Sequence, residues 1–260
     1  LMSLGRYSQV VDACSRAQVL LERVLPSWGE FFRTTLHMEG AYCAVYLDPR
    51  PETAGRLLES LEPLDLPGTM RFIARSVRGE LELTRGNVRT AALIQRVSLR
   101  YAGNWRSILG SGSQWELYIL SMCLVTDVEL SPDDAVELDA RAVRARATSL
   151  LREILSDPAP RQRDIPTLMA FAAAVGLSAV AAEDVGSDRR AVGGELVATA
   201  LAVGTNQTCR LLSHDYLRSR TERLDARALV QAEERIRGLD RSELVAHAAD
   251  LAGRLAGEVG

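Results

Sequence analysis

Lysine is missing from this 260-residue chain: all 31 basic residues are arginine. A GC-rich genome explains that substitution, and the arginines are spread along the chain rather than gathered into a phosphate-binding face. Without lysine there is no GxxxxGK[ST] phosphate loop, and no GxSxG elbow or HExxH zinc helix occurs either. The net charge is −3, so no basic surface large enough to hold nucleic acid is expected, and direct nucleic-acid contact is not expected. Cysteine is scarce and dispersed. Cys14, Cys43, Cys123 and Cys209 form no CxxC pair, which predicts buried thiols in a reducing cytoplasm rather than a disulfide framework or a zinc site. The three histidines, His37, His214 and His247, are isolated from one another, so no metal or cofactor is expected. No signal peptide opens the chain. The longest apolar run, Leu168 to Ala182, is too short and too rich in alanine to span a bilayer, which predicts no membrane association.

Strand signals are weak too, since no Asn-Gly or Asp-Gly turn joins alternating apolar runs. Abundant Ala, Leu, Arg and Glu lose little entropy in a helix, so the composition points to an all-α fold. Helix starts are marked at Ser27 with Glu30, Asp48-Pro49, Ser131-Pro132 and Asp240 with Glu243, each a capping residue before a proline or three residues before glutamate. Asp133-Asp134 falls where a helix dipole favours negative charge. Small residues recur at spacings of five and seven: Gly5, Val10 and Ala17; Gly86, Ala91 and Ser98; Gly186, Ala191 and Ala198. Ala54 with Leu61 and Ala135 with Ala142 repeat the second interval. Two helical turns separate the members of each seven-residue pair, so they share a stripe against which a neighbouring helix packs closely. The preceding glycine suits a turn with positive φ. Gly79 and Ala179, seven residues before Gly86 and Gly186, are the expected close-contact positions on the preceding helices. The unit is helix, tight turn, helix, repeated along the chain.

Leu4-Gly5-Arg6-Tyr7 through Ala17, and Gly79 with Arg85-Gly86-Asn87-Val88 through Ala91, resemble tetratricopeptide repeats. The expected fold is therefore antiparallel helical hairpins stacked as a superhelical array, degenerate and more widely spaced than the roughly 34 residues usual for that family. A generic helical bundle is the alternative. Residues 1–204 are assigned to the repeats and 205–260 to capping helices, with Asp225–Arg237 and Asp240–Ala256 as the last two. Leu1 to Leu4 run directly into the second helix of a repeat, which predicts that the residues given begin partway through a longer polypeptide. Asp164-Ile165-Pro166, Gly186 to Ala191 and Arg237 to Ala248 resemble the tails of large actinobacterial transcription regulators. That resemblance implies a cytoplasmic docking or sensing tail that binds a protein or peptide, or a small-molecule effector, in a concave groove, and not an enzyme. By register with the resembled repeats, the groove residues are Leu36, Glu39 and Tyr46 from one unit and Ser76, Glu80 and Thr84 from the next. A free-standing adaptor and an enzyme with a helical core cavity remain as alternatives. Two arginine clusters, Arg141, Arg144, Arg146 and Arg152, and Arg218, Arg220 and Arg223, either pair with neighbouring carboxylates or meet an acidic partner.

Overall fold

The computed structural model describes residues 7–24, 36, 51–59, 68–109, 114–156, 164–205 and 210–257. All secondary structure among these residues is helical. The chain forms two compact units, Leu1–Tyr101 and Ala102–Gly260.

In the first unit, α1 covers Tyr7–Val24, α2 Pro51–Glu59 and α3 Gly68–Thr84, and α4, Val88–Leu109, begins in this unit and runs past its end at Tyr101. The α3–α4 turn is built from local hydrogen bonds. Gly86 has φ +81°, a left-handed conformation that costs glycine little. The Asn87 amide donates to the Glu82 carbonyl and the Gly86 amide to that of Leu83, so two orphan carbonyls at the end of α3 are satisfied in a Schellman turn. Across this turn Gly79 meets α4: a Cβ there would lie 2.4 Å from Gln95 Nε2. Ala91 and Ser98 on α4 are fully buried, as the seven-residue stripe predicts. In α1, Val10 and Cys14 are buried and Ala17 is half-buried, while Ala54 is buried on α2. Leu61, Gly5, the Ser27–Glu30 box and Asp48-Pro49 lie outside the described residues.

Glu82 locks the same turn through its side chain. Its carboxylate accepts from Arg85 at 2.9 Å and from Asn87 Nδ2 at 2.7 Å, with Arg78 at 3.4 Å. Burial alone would raise this carboxyl, but the donors from Asn87 and Arg85, with the charges of Arg85 and Arg78, hold it below its ordinary value of 4.5. A carboxyl with a lowered folded-state pKa stabilises the fold fully above its unfolded value, and the contribution is lost as pH falls through the folded value. Urea titrations from about pH 6 to about pH 3 should therefore show a stability difference between wild type and Glu82→Gln that shrinks below about pH 4.5. A difference that stays constant over that range would show that the Glu82 charge does not stabilise the turn.

In the second unit, α5 spans Gln114–Asp127, α6 Pro132–Glu137, α7 Ala140–Leu155, α8 Ile165–Ala181 and α9 Ser187–Val203; a 3₁₀ turn at Arg210–Leu212 precedes α10, His214–Ile236, and α11, Arg241–Ala256. The apolar run identified in the sequence is the centre of this unit. Every residue of α8 from Leu168 to Val180 is buried, by α9, α5, α10 and α7. A helix apolar on all sides needs neighbours all round. Its alanines and Gly176 let those neighbours approach. The α8–α9 pair is a hairpin whose backbones nearly touch: a Cβ on Gly176 would lie 2.5 Å from the Gly193 carbonyl oxygen, and one on Gly193 would lie 2.7 Å from that of Gly176. Among the described residues no helix is long and apolar enough to cross a membrane.

The local signals hold at several helix starts. Ser131 accepts from the Asp134 amide ahead of Pro132, and Asp240 with Glu243 forms a reciprocal capping box. Asp225 is extended (φ −158°, ψ 81°) and its Oδ1 accepts from the Ala228 amide, so a new helical segment begins there inside α10. Arg218 and Glu233 form an ion pair although a straight helix would separate them by about 22 Å, so the two halves of α10 fold toward each other.

Three expectations are corrected. Ala135 and Ala142 do not share a stripe, because Leu138-Asp139 separates α6 from α7. Asp139 takes a left-handed conformation (φ +53°) and caps α7 through the Ala142 amide, a local bond that competes with helix continuation. Gly186 has φ −62° and serves as an N-cap, so its turn needs no positive φ. The tightest contact between α8 and α9 lies at Gly176 and Gly193 rather than at Ala179 and Ala191. Ala179 does contribute, 3.0 Å from a Cβ on Gly193, whereas Ala191 is half-buried.

Candidate functional site

Of the groove residues expected from repeat register, Ser76 and Glu80 are buried, at 1% and 2% exposure. They are interior positions of the first unit, because the side of α3 that carries them is covered. Thr84 is exposed, although its hydroxyl donates back to the Glu80 carbonyl at 2.9 Å. Leu36 is half-buried, and Glu39 and Tyr46 lie outside the described residues.

Among the described residues, two clefts lie in the second unit. Helix α7 starts at the Asp139 cap and presents its buried side, Val143, Ala147, Leu150, Leu151 and Ile154, to the core. Its arginines then divide by helical angle. Arg146 turns toward α5 and donates to Glu116 Oε1 at 2.8 Å, where the carboxylate is buried. Arg141, Arg144 and Arg152 instead line a cleft of about 380 Å³ between α7, the start of α9 and the end of α11. Arg189 joins them from α9, donating to the Leu255 carbonyl at the C-terminal end of α11, where the helix dipole favours a cation. Thr148 and Ser149 place hydroxyls on the same wall.

Among the described residues lining this cleft, Asp184 is the carboxylate. Asp184, in the α8–α9 turn, accepts through both oxygens from the one nitrogen Arg144 Nη2, at 2.7 and 2.9 Å, and stands 3.8 Å from Arg141. Arg144 is mostly covered, Asp184 is half-exposed, and Arg141 is largely in solvent. Arg152 makes no ion pair among the described residues. Arginine side chains thus outnumber carboxylates among the described residues that line this cleft. Guanidinium groups do not give up protons in proteins, so this chemistry is anion recognition, not acid–base work.

A second cleft of about 530 Å³ adjoins the first and shares Arg141, Arg144 and Asp184 with it. It runs between the α5–α6 turn, α6 and the end of α8, and its walls mix apolar side chains, Leu124, Val128, Leu130 and Val136, with the carboxylates of Asp127, Asp139 and Glu183.

In the other basic cluster Arg218 and Arg220 are paired within the fold, while Arg223 is exposed and donates to the Ser219 carbonyl. Arg218 pairs with Glu222 at 2.9 Å and with Glu233. Arg220 pairs with Glu129 and lies over the Tyr216 ring, 5.6 Å from its centre. Burial pushes the Tyr216 hydroxyl above its ordinary value, against the opposing pull of Arg220. His214 and Asp215 form a surface pair at 3.7 Å at the start of α10. Among the described residues no three His, Cys, Asp or Glu side chains stand close enough to hold a metal.

Sequence reasoning overlooked one charged centre. Glu195 on α9 is buried at 6% exposure, forms an ion pair with Arg235 of α10, and has His247 Nε2 of α11 at 2.9 Å from Oε1. Its signal was a lone carboxylate in the apolar stretch Val192–Val203, since a charge on such a face must find partners. Asp184 gave no comparable signal. Comparison of this chain with protein-family models, with curated proteins and with solved structures finds no match.

Proposed function

We propose that this chain is a docking or sensing module of a larger bacterial transcription regulator, that it works in the cytoplasm, and that it binds a partner without catalysing a reaction. In this reading the helical hairpins are degenerate tetratricopeptide-like repeats. The close helix contact at Gly79 with Gln95, and that at Gly176 with Gly193, support it, because small residues at hairpin crossings are what such repeats need. A protein or peptide, or a small effector, binds the module, and its presence shifts an equilibrium elsewhere in the parent polypeptide.

The observation that carries the reading is the cleft lined by Arg141, Arg144, Arg152 and Arg189, with Asp184 the carboxylate among its described lining residues. That excess of charge steers and holds an acidic partner. A photo-crosslinking residue at Ser149, in the parent polypeptide in its native cells, should yield a discrete adduct, and the same residue at exposed Arg227 should not. Combined Arg141→Glu and Arg152→Glu substitutions should lower the adduct about tenfold, the equivalent of about 1.4 kcal/mol of lost binding. No adduct at position 149 above the Arg227 control would remove this cleft as the docking site.

A further inference from the structure

The cleft between α6 and the end of α8 is walled by small side chains. Pro132, Ala135 and Val136 line it from α6, and Ser178, Ala181 and Ala182 from the end of α8, each set at the i, i+3, i+4 spacing of one helix face. Leu124 lies deepest, at 1% exposure, while Val136 stands on the rim at 83%, so there is apolar surface at both floor and mouth. The small walls leave about 530 Å³, room for one bulky aliphatic side chain with the backbone that carries it. The charges of this cleft are unequal. Asp127, Asp139, Glu183 and Asp184 line it against Arg141 and Arg144, a difference of two negative charges. Both arginines are directed at Asp184, Arg144 through Nη2 and Arg141 at 3.8 Å. The neighbouring chain repeats the sign: from Asp127 to Asp139 it carries six carboxylates and no arginine, and of these Glu129 pairs with Arg220.

We propose that this cleft docks a short segment of a partner protein in which a bulky aliphatic side chain stands close to an arginine or lysine. The aliphatic group enters between α6 and α8, against Leu124 and Val136, and the cation meets Asp139 and Glu183. Both of these carboxylates are exposed, and Asp139 uses only Oδ1 to cap α7, so each is within reach of an incoming cation. Charge complementarity selects the occupant. Nucleic acid is disfavoured because the carboxylates repel its phosphates, and a uniformly basic segment leaves the apolar floor uncovered. This goes beyond the docking reading above, which rests on the adjoining arginine-lined cleft. That cleft repels the same cation, so the two take segments of opposite charge.

The test pans a random phage-displayed peptide library, about twelve residues long, on the 260-residue chain, with the Asp139→Asn/Glu183→Gln protein as counter-selection. Asparagine tolerates the left-handed conformation at position 139 and keeps the cap, and Glu183 and Val136 are exposed, so the variants retain the fold. Circular dichroism checks this. The expected consensus has Leu, Ile or Met close to Arg or Lys. A fluorescent synthetic peptide of that consensus should bind the double variant at least about tenfold more weakly than wild type, and Val136→Ser about three- to tenfold more weakly. The proposal is overturned by failure to enrich any peptide, by a consensus lacking either feature, or by binding indifferent to either variant. It is also overturned if the chain alone forms a dimer in analytical ultracentrifugation that Val136→Ser abolishes, since a second copy would then be the occupant. The crosslink at position 149 reports on the adjoining cleft, so it can succeed or fail independently of these results.

Discussion

Gly193→Ala should lower the stability of the second unit by about 2 kcal/mol, whereas Gly194→Ala, one residue on, should leave it unchanged or raise it by up to about 1 kcal/mol. Helix propensity alone favours alanine at both positions equally. Packing separates them. A Cβ on Gly193 would lie 2.7 Å from the Gly176 carbonyl oxygen, a backbone atom that cannot swing aside, and 3.0 Å from Ala179 Cβ. A Cβ on Gly194 would meet Ala228 at 3.5 Å, an ordinary contact. Gly176→Ala belongs with Gly193→Ala, because its Cβ would stand 2.5 Å from the Gly193 oxygen. Gly176→Val should be worse, by about 3 kcal/mol or more, or a fall of about 6–12 °C in Tm for a unit of this size. Thermal denaturation followed by circular dichroism measures the set. Equal Tm values for Gly193→Ala and Gly194→Ala would mean that α8 and α9 do not approach as closely as described.

Arg235→Ala should destabilise the second unit more than Glu195→Gln does, although the two changes cut the same ion pair. Glu195 is buried, while the Arg235 side chain is half in solvent. Truncating Arg235 leaves a carboxylate facing the interior with His247 as its one remaining partner in this centre, and a buried charge deprived of its counter-ion costs about 2–4 kcal/mol after allowance for the exposure of Arg235. Replacing Glu195 with glutamine removes the charge, keeps the shape, and lets the guanidinium return to water, at a cost of about 1 kcal/mol. The double variant should recover most of the loss seen with Arg235→Ala alone. Urea denaturation of the four proteins closes the cycle. Additive effects, or a larger loss for Glu195→Gln, would show that Glu195 is not held as a charge by Arg235.

Burial also changes what Glu80 can report. Register with tetratricopeptide repeats set it beside Ser76 on a binding surface, so that its replacement should weaken binding and leave the fold intact. In the structure both side chains are interior. A substitution at Glu80 therefore tests the packing of the first unit. Small-residue spacing identifies which side of a helix meets a neighbour, and α3 does meet α4 at Gly79. Ser76 and Glu80 stand within about 100° of Gly79 around α3, and Gln95 of α4 donates to the Ser76 carbonyl, so the side assigned to a groove borders the helix contact itself.

What the sequence alone determined about this protein is what lies within one or two turns of a given residue. The Gly86 turn, the Ser131 and Asp240 caps and the restart at Asp225 all close hydrogen bonds over two to five residues, so the residue types there select the geometry without help from the rest of the chain. The apolar length of α8 likewise required burial on all sides before any neighbour was known. Tertiary structure alone decided which charges meet. Arg144 finds Asp184 and Glu195 finds Arg235 forty residues away, and His247 reaches Glu195 across fifty-two. Those separations reflect how α7, α9, α10 and α11 come together, and no local spacing encodes that arrangement. The same holds for the joined clefts, whose walls come from successive helices and the turns between them.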